Sequence, residues 1–179
     1  MGAVDLFHVT DKYNLLVSET DVHVLSGTLK LFFRELLEPA FPAAIHKSIL
    51  SAIQMNGKQR LKRIDELLLQ LPDTNKETLK LLFRHLLRVA AHSNANRMQI
   101  HNLSIIWGPT LFNEETKKKE DVKVKRKEKK EGESQAVLVQ TNSRLAFNLV
   151  MQGQIVEFIL KELDKLEAMK GPILAHRQS

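Results

Sequence analysis

Cysteine is absent from this chain of 179 residues, which excludes disulfides and thiolate metal centres. No apolar run approaches the roughly 20 residues that a membrane-spanning helix needs. Glycine and proline are scarce, with 7 and 5 copies, so few breaks interrupt a chain long enough to bury one core. The opening MGAVDLFHV has no basic region, apolar run or cleavage site, so no export signal is expected. Leu6 occupies the position where a myristoylation signal carries Ser or Thr. A cytoplasmic chain of one domain, residues 1–170 with a fraying tail at 171–179, is the expectation.

The formal net charge of +6 is concentrated rather than spread. Nine basic and three acidic residues lie between Lys117 and Lys130, a surplus equal to that of the whole chain. The rest is close to neutral, so the basic balance describes a segment, not a basic domain. Residues 114–140 carry dense Lys and Glu and almost no apolar side chain before Ala136. Such a segment buries too little to offset its chain entropy and reads as a solvated insertion. Its other reading is a patch for anionic membranes, with membrane recruitment as a second location. It lacks the aromatics that stack bases, and no specific nucleic acid is expected as a partner.

What remains is helical in period. Val22, Leu25, Leu29, Phe32 and Leu36 recur in steps of three and four, predicting a helix that buries this stripe and ends before Pro39. Two short helices, Ala44–Ile53 and Arg60–Leu71, flank the turn signal Asn56-Gly57. Thr74 and Glu77 have the spacing of a capping box opening a long helix with Leu79, Leu82, Phe83, Leu86 and Val89 or Ala90 inward. SNANRM breaks it. Met98 to Trp107 reads as a further helix, with Leu103, Ile106 and Trp107 inward and Gly108-Pro109 as its stop. A last helix runs from Ser143, with Leu145, Leu149, Gln152 or Gly153, Val156, Ile159, Leu160 and Leu163 on its inner spacing. No alternating strand pattern competes; the class is all-α.

Chemistry of the chain's own is not expected. The seven histidines are scattered, with no nucleophile–base pattern, no i, i+4 His pair for a metal and no phosphate-cradling glycine loop. No catalytic residue, metal or cofactor is assigned. Two constellations stand out. Lys30 and Arg34 lie one helical turn apart, mildly repelling by a few tenths of a kcal/mol. They are either a solvated face or two cations held in register for an anionic partner. Asn102 sits on an apolar helix, either capping within the fold or contacting a partner.

The ordered stretches DVHVLSGTLKLFFRELLEPAF, LLLQLPDTNKETLKLLFRHLLRVA, NRMQIHNLSIIWGPTLF and QIVEFIL together resemble the RhoGAP family, the Rho GTPase-activating domain. The resemblance covers Asp21 to about Leu163. It implies a RhoGAP-type helical bundle and, as partner, a Rho-family small GTPase in its GTP state, whose hydrolysis such domains accelerate. It also implies that Lys30 and Arg34 support the catalytic loop and the partner contact, and that Asn102 bonds the GTPase near its switch region. Arg97 and Pro109, on either side of Asn102, are secondary candidates. Departures are LLEPA where the family has LPEPL, and IWGP where it has VFGP.

The family's arginine finger lies in a Gly-hydrophobic-Phe/Tyr-Arg-x-Ser-Gly loop upstream of the helix that carries Lys30. No such loop is found here: the first arginine is Arg34, and MGAVDLFHVTDKYNLLVSET carries only Lys12 as a cation. The resemblance therefore implies a domain lacking its first helices and finger loop, with impaired activation. The alternative is a non-catalytic scaffold or decoy that occupies the GTPase.

Overall fold

Burial of helical stripes against one another builds the whole architecture. A computed structural model describes residues 21–113 and 135–171. Among them every regular element is helical: α1 (Val22–Arg34), α2 (Ala43–Ala52), α3 (Gly57–Leu69), α4 (Asp73–Ala91), a single turn α5 (Ser93–Asn96), α6 (Ile100–Phe112) and α7 (Gln135–Glu162). Two 3₁₀ turns, Leu163–Lys165 and Glu167–Met169, follow. The first 20 residues, the Lys117–Lys130 run and the tail from 172 lie outside the described residues.

The central pair is α6 and α7. Their backbones meet at Gly108 and Gly153, so close that a Cβ on Gly108 would stand 2.6 Å from the Gly153 nitrogen. This overturns the reading of Gly108-Pro109 as a helix stop, since α6 continues through both to Phe112. Glycine is needed there for the approach of α7. Pro109 forfeits only the bond to the Ile105 carbonyl, on a side where Ile105 is exposed. Leu103 and Trp107 are buried as expected, whereas Ile106 faces outward with Ile105.

Around this pair, α4 buries Leu79, Leu82, Phe83 and Leu86 of the stripe its sequence predicts, while Val89 and Ala90 at its end are only half-buried. Its start differs. The helix begins at Asp73 after Pro72, with no side-chain cap, so Thr74 lies inside it and its carbonyl accepts from Thr78 Oγ1 at 2.7 Å. Glu77 instead takes the Lys80 ammonium at 2.7 Å, which lets that nearly buried lysine remain ion-paired. The break after α4 is one helical turn, closed by Arg97 in the left-handed conformation (φ 58°). The last helix starts at Gln135, so the final six residues of the supposed insertion are helical. Along it Gln152, Gly153, Val156, Ile159 and Leu160 are buried, as is Leu163 in the 3₁₀ turn that follows, but Leu149 is exposed.

The largest departure is α1. Its predicted stripe is not buried: Val22, Leu29 and Phe32 are exposed, Phe32 by 56%, and Leu25 and Leu36 only half-buried. The one buried residue of the helix is Phe33, set edge-on against Trp107 with ring centroids 5.6 Å apart. Apolar period identifies a helix, but which face is covered depends on what lies beside it, and among the described residues α1 packs chiefly on α6.

Candidate functional site

The C-terminal end of α1 and the bend after it are fastened to the second half of α6 at three points. Phe33 meets Trp107; Asn113 Nδ2 donates to the Arg34 carbonyl at 2.7 Å; and the Phe41 amide donates to the Leu111 carbonyl at 3.1 Å. A helix leaves its last four carbonyls without internal donors, and two of these three contacts supply such carbonyls. Phe41 then stacks on Phe112 with centroids 4.6 Å apart, and Asn75 Nδ2 donates to the Ala40 carbonyl at 3.0 Å. The bend after α1, LLEPAF, is thereby buried from Pro39 to Phe41 despite its departure from the usual motif.

On this anchored helix Lys30 is half-buried and Arg34 exposed, one turn apart on the same face. Neither forms an ion pair with a described acidic residue. Cations one turn apart with no described carboxylate partner are the kind of groups that pair with carboxylate or phosphate oxygens.

The other sequence candidates divide. Pro109 belongs to the Arg34 end, since its carbonyl accepts the Asn113 amide at 3.0 Å. Asn102 stands in the first turn of α6, eleven positions before Asn113, or about 16 Å along the axis. Its Nδ2 donates to the Arg97 carbonyl at 3.1 Å, so its amide closes the left-handed bend that admits the chain to α6. Arg97 is exposed at that bend. Asn113 bonds the carbonyls of both Arg34 and Pro109, Lys30 lies one helical turn before Arg34, and Asn102 and Arg97 stand at the far end of α6.

That far end also carries a charged cluster. Glu157 accepts from Lys161 at 2.7 Å and lies 3.0 Å from His101 Nδ1, bridging α6 and α7. The Lys161 and then the His101 hydrogen bond hold its carboxyl below the ordinary carboxylate range. An open cleft of about 500 Å³ beside it is floored by Leu87, Ala90 and Ile100. With its carboxylate already engaged by Lys161 and His101, this cluster reads as a helix-to-helix tie. Among the described residues no group of His, Asp and Glu is placed to hold a metal ion. No described helix is long and apolar enough to cross a membrane.

Asn113 is the residue that sequence reasoning missed. The signal was present, an asparagine directly after an apolar helix, which suits a left-handed end. Placing the stop at Gly108-Pro109 hid it.

A family model described as the RhoGAP domain matches residues 3–116. The chain belongs to the RhoGAP family. It is 53% identical over 171 residues to the WW domain-containing protein tag-325 of Caenorhabditis elegans, a match covering 91% of this chain and 20% of that protein. With Rho GTPase-activating protein 15 of Mus musculus the identity is 34% over 158 residues, covering 87% of this chain and 28% of the relative. The chain thus spans less than a third of the length of either. Among solved structures, human Rho GTPase activating protein 15 superposes with a TM-score of 0.62 at 32% identity, over 84% of this chain and 59% of that one. The BH domain from Graf matches with a TM-score of 0.61 over 83% of this chain and 67% of that one; at 22% identity this speaks for the fold alone. The all-helical RhoGAP bundle expected from the sequence is thus shown.

Proposed function

We propose that this chain is a regulatory module that docks a Rho-family small GTPase in its GTP state through the Lys30–Arg34 face of α1, and that its own stimulation of hydrolysis is weak. The observation that carries the reading is the pair itself: two cations without a described carboxylate partner, on a helix whose end is fastened to α6. The relatives named Rho GTPase-activating proteins support the choice of partner. Acidic switch residues and nucleotide phosphates are the groups such cations recognise. Pro109, beside the same end, joins this docking face. Asn102 and Arg97 are assigned to a second contact at the other end of α6, nearer the switch region of the partner.

The weak stimulation follows from what the 179 residues contain. No arginine precedes Arg34, and Lys12 lacks the planar fork that stabilises a transferring phosphoryl group. An arginine finger contributes roughly 10³ to 10⁵ in rate. Without one, binding and acceleration separate, and the chain acts as a scaffold or decoy. It is a regulator of the partner's hydrolysis and not itself an enzyme. Recruitment to anionic membranes through Lys117–Lys130 accompanies this role.

Adding the chain to a panel of GTP-loaded Rho-family GTPases tests both halves. Binding of the GTP form in preference to the GDP form is expected, with single-turnover hydrolysis raised less than about 10-fold. Acceleration of 1,000-fold or more contradicts the weak-stimulation half; equal failure to bind every member contradicts the docking half.

A further inference from the structure

We propose that Asn113 is the positioning residue for Arg34, an inference that rests on the docking role just given. Asn113 is 94% removed from solvent and ends α6 with φ 40° and ψ 50°, a left-handed conformation that asparagine adopts more readily than most residues. In this conformation its amide closes α6 on the Pro109 carbonyl at 3.0 Å, while its side chain donates to the Arg34 carbonyl at 2.7 Å. One residue thus terminates two helices and fixes the backbone of Arg34 against the last turn of α6.

Position matters more for this arginine than for an ordinary surface cation. Arg34 is the last residue of α1, where helix ends fray, and on the α6 side its described attachments are otherwise the neighbouring Phe33 ring and, seven residues on, the Phe41 amide. A guanidinium recognises an oxyanion through a planar fork, so a rotation of its Cα misdirects both donors at once. The Asn113 bond restrains that rotation. Its site lies outside the GPTLF stretch that carries the resemblance, and neither charge nor periodicity marks it.

Two substitutions separate positioning from plain stability. Asn113→Gly keeps the left-handed backbone available and removes the donor; Asn113→Asp keeps the shape and sets an acceptor against the Arg34 carbonyl. Affinity for a GTP-analogue-loaded Rho-family GTPase and the thermal midpoint are measured for each, alone and combined with Arg34→Ala. The expected result is a 5- to 20-fold weaker binding with Arg34 present, under 2-fold in the Arg34→Ala background, and the same shift of midpoint in both. Equal losses of affinity in the two backgrounds, no loss in either, or failure of both variants to fold overturns the proposal. If Arg34→Ala itself leaves binding unchanged, the docking role beneath it is what fails.

Discussion

Gly108→Ala is expected to destabilise the protein by about 2–3 kcal/mol, lowering Tm by about 5–10 °C in a domain of this size. Helix propensity alone predicts the opposite sign, since alanine is favoured over glycine inside a helix by about 1 kcal/mol. The contacts decide between them. A Cβ at this position would lie 2.6 Å from the Gly153 nitrogen, 2.7 Å from the Gln152 carbonyl carbon and 2.9 Å from its oxygen. All three are backbone atoms of α7, so no side chain can rotate aside, and α6 and α7 must move apart along the central seam of the core. Gly153→Ala is the internal control: its nearest neighbour would be the Ser104 carbonyl oxygen at 3.6 Å, an ordinary contact. That substitution is expected to leave Tm unchanged or slightly raised. Thermal unfolding of the two variants, side by side, checks the asymmetry; a stabilised Gly108→Ala would mean that the helices do not cross this closely.

Phe33→Ala is expected to release α1 without unfolding the rest. Truncating a buried phenylalanine typically costs about 3–5 kcal/mol, and here the lost contact is the only fully buried side chain of its helix. Because Val22, Leu29 and Phe32 remain exposed, α1 has little else among the described residues to hold it once Trp107 loses its edge-on partner. The local opening should therefore show in hydrogen exchange as a loss of protection of roughly 100-fold or more in the α1 amides, with α4, α6 and α7 largely unchanged. GTPase affinity should fall with it, since Lys30 and Arg34 would be presented only in the docked fraction. Uniform loss of protection across the bundle, or none in α1, would contradict the view of α1 as a helix pinned at one end.

How much of this was legible in the sequence depended on whether the deciding forces were local. The α4 stripe was readable because a long 3.6-residue period and one-sided burial coincide. The pairing of Lys30 with Arg34 was readable because i, i+4 spacing alone places two residues on one face. The buried face of α1 was not, because periodicity describes a helix without describing its neighbours. Gly108-Pro109 was misread for a related reason: both residues break isolated helices, but the approach of α7 and the solvent beside Ile105 reverse that preference. Thr74 and Glu77 matched a capping pattern, yet Pro72 and Asp73 started the helix two residues earlier. The role of Asn102 hinged on Arg97 being left-handed, and that of Asn113 on where α6 ends; both are set by tertiary packing.

The most direct test of the account is a calorimetric titration of a Rho-family GTPase, loaded with a non-hydrolysable GTP analogue, against the chain and against its Lys30→Ala, Arg34→Ala double variant. Two lost charge-assisted bonds at about 1.5 kcal/mol each predict an affinity about 100-fold weaker, with Tm little changed because Arg34 is exposed and Lys30 is half-buried without a described ion-pair partner. Equal affinity of the two chains would contradict the assignment of this face as the docking surface.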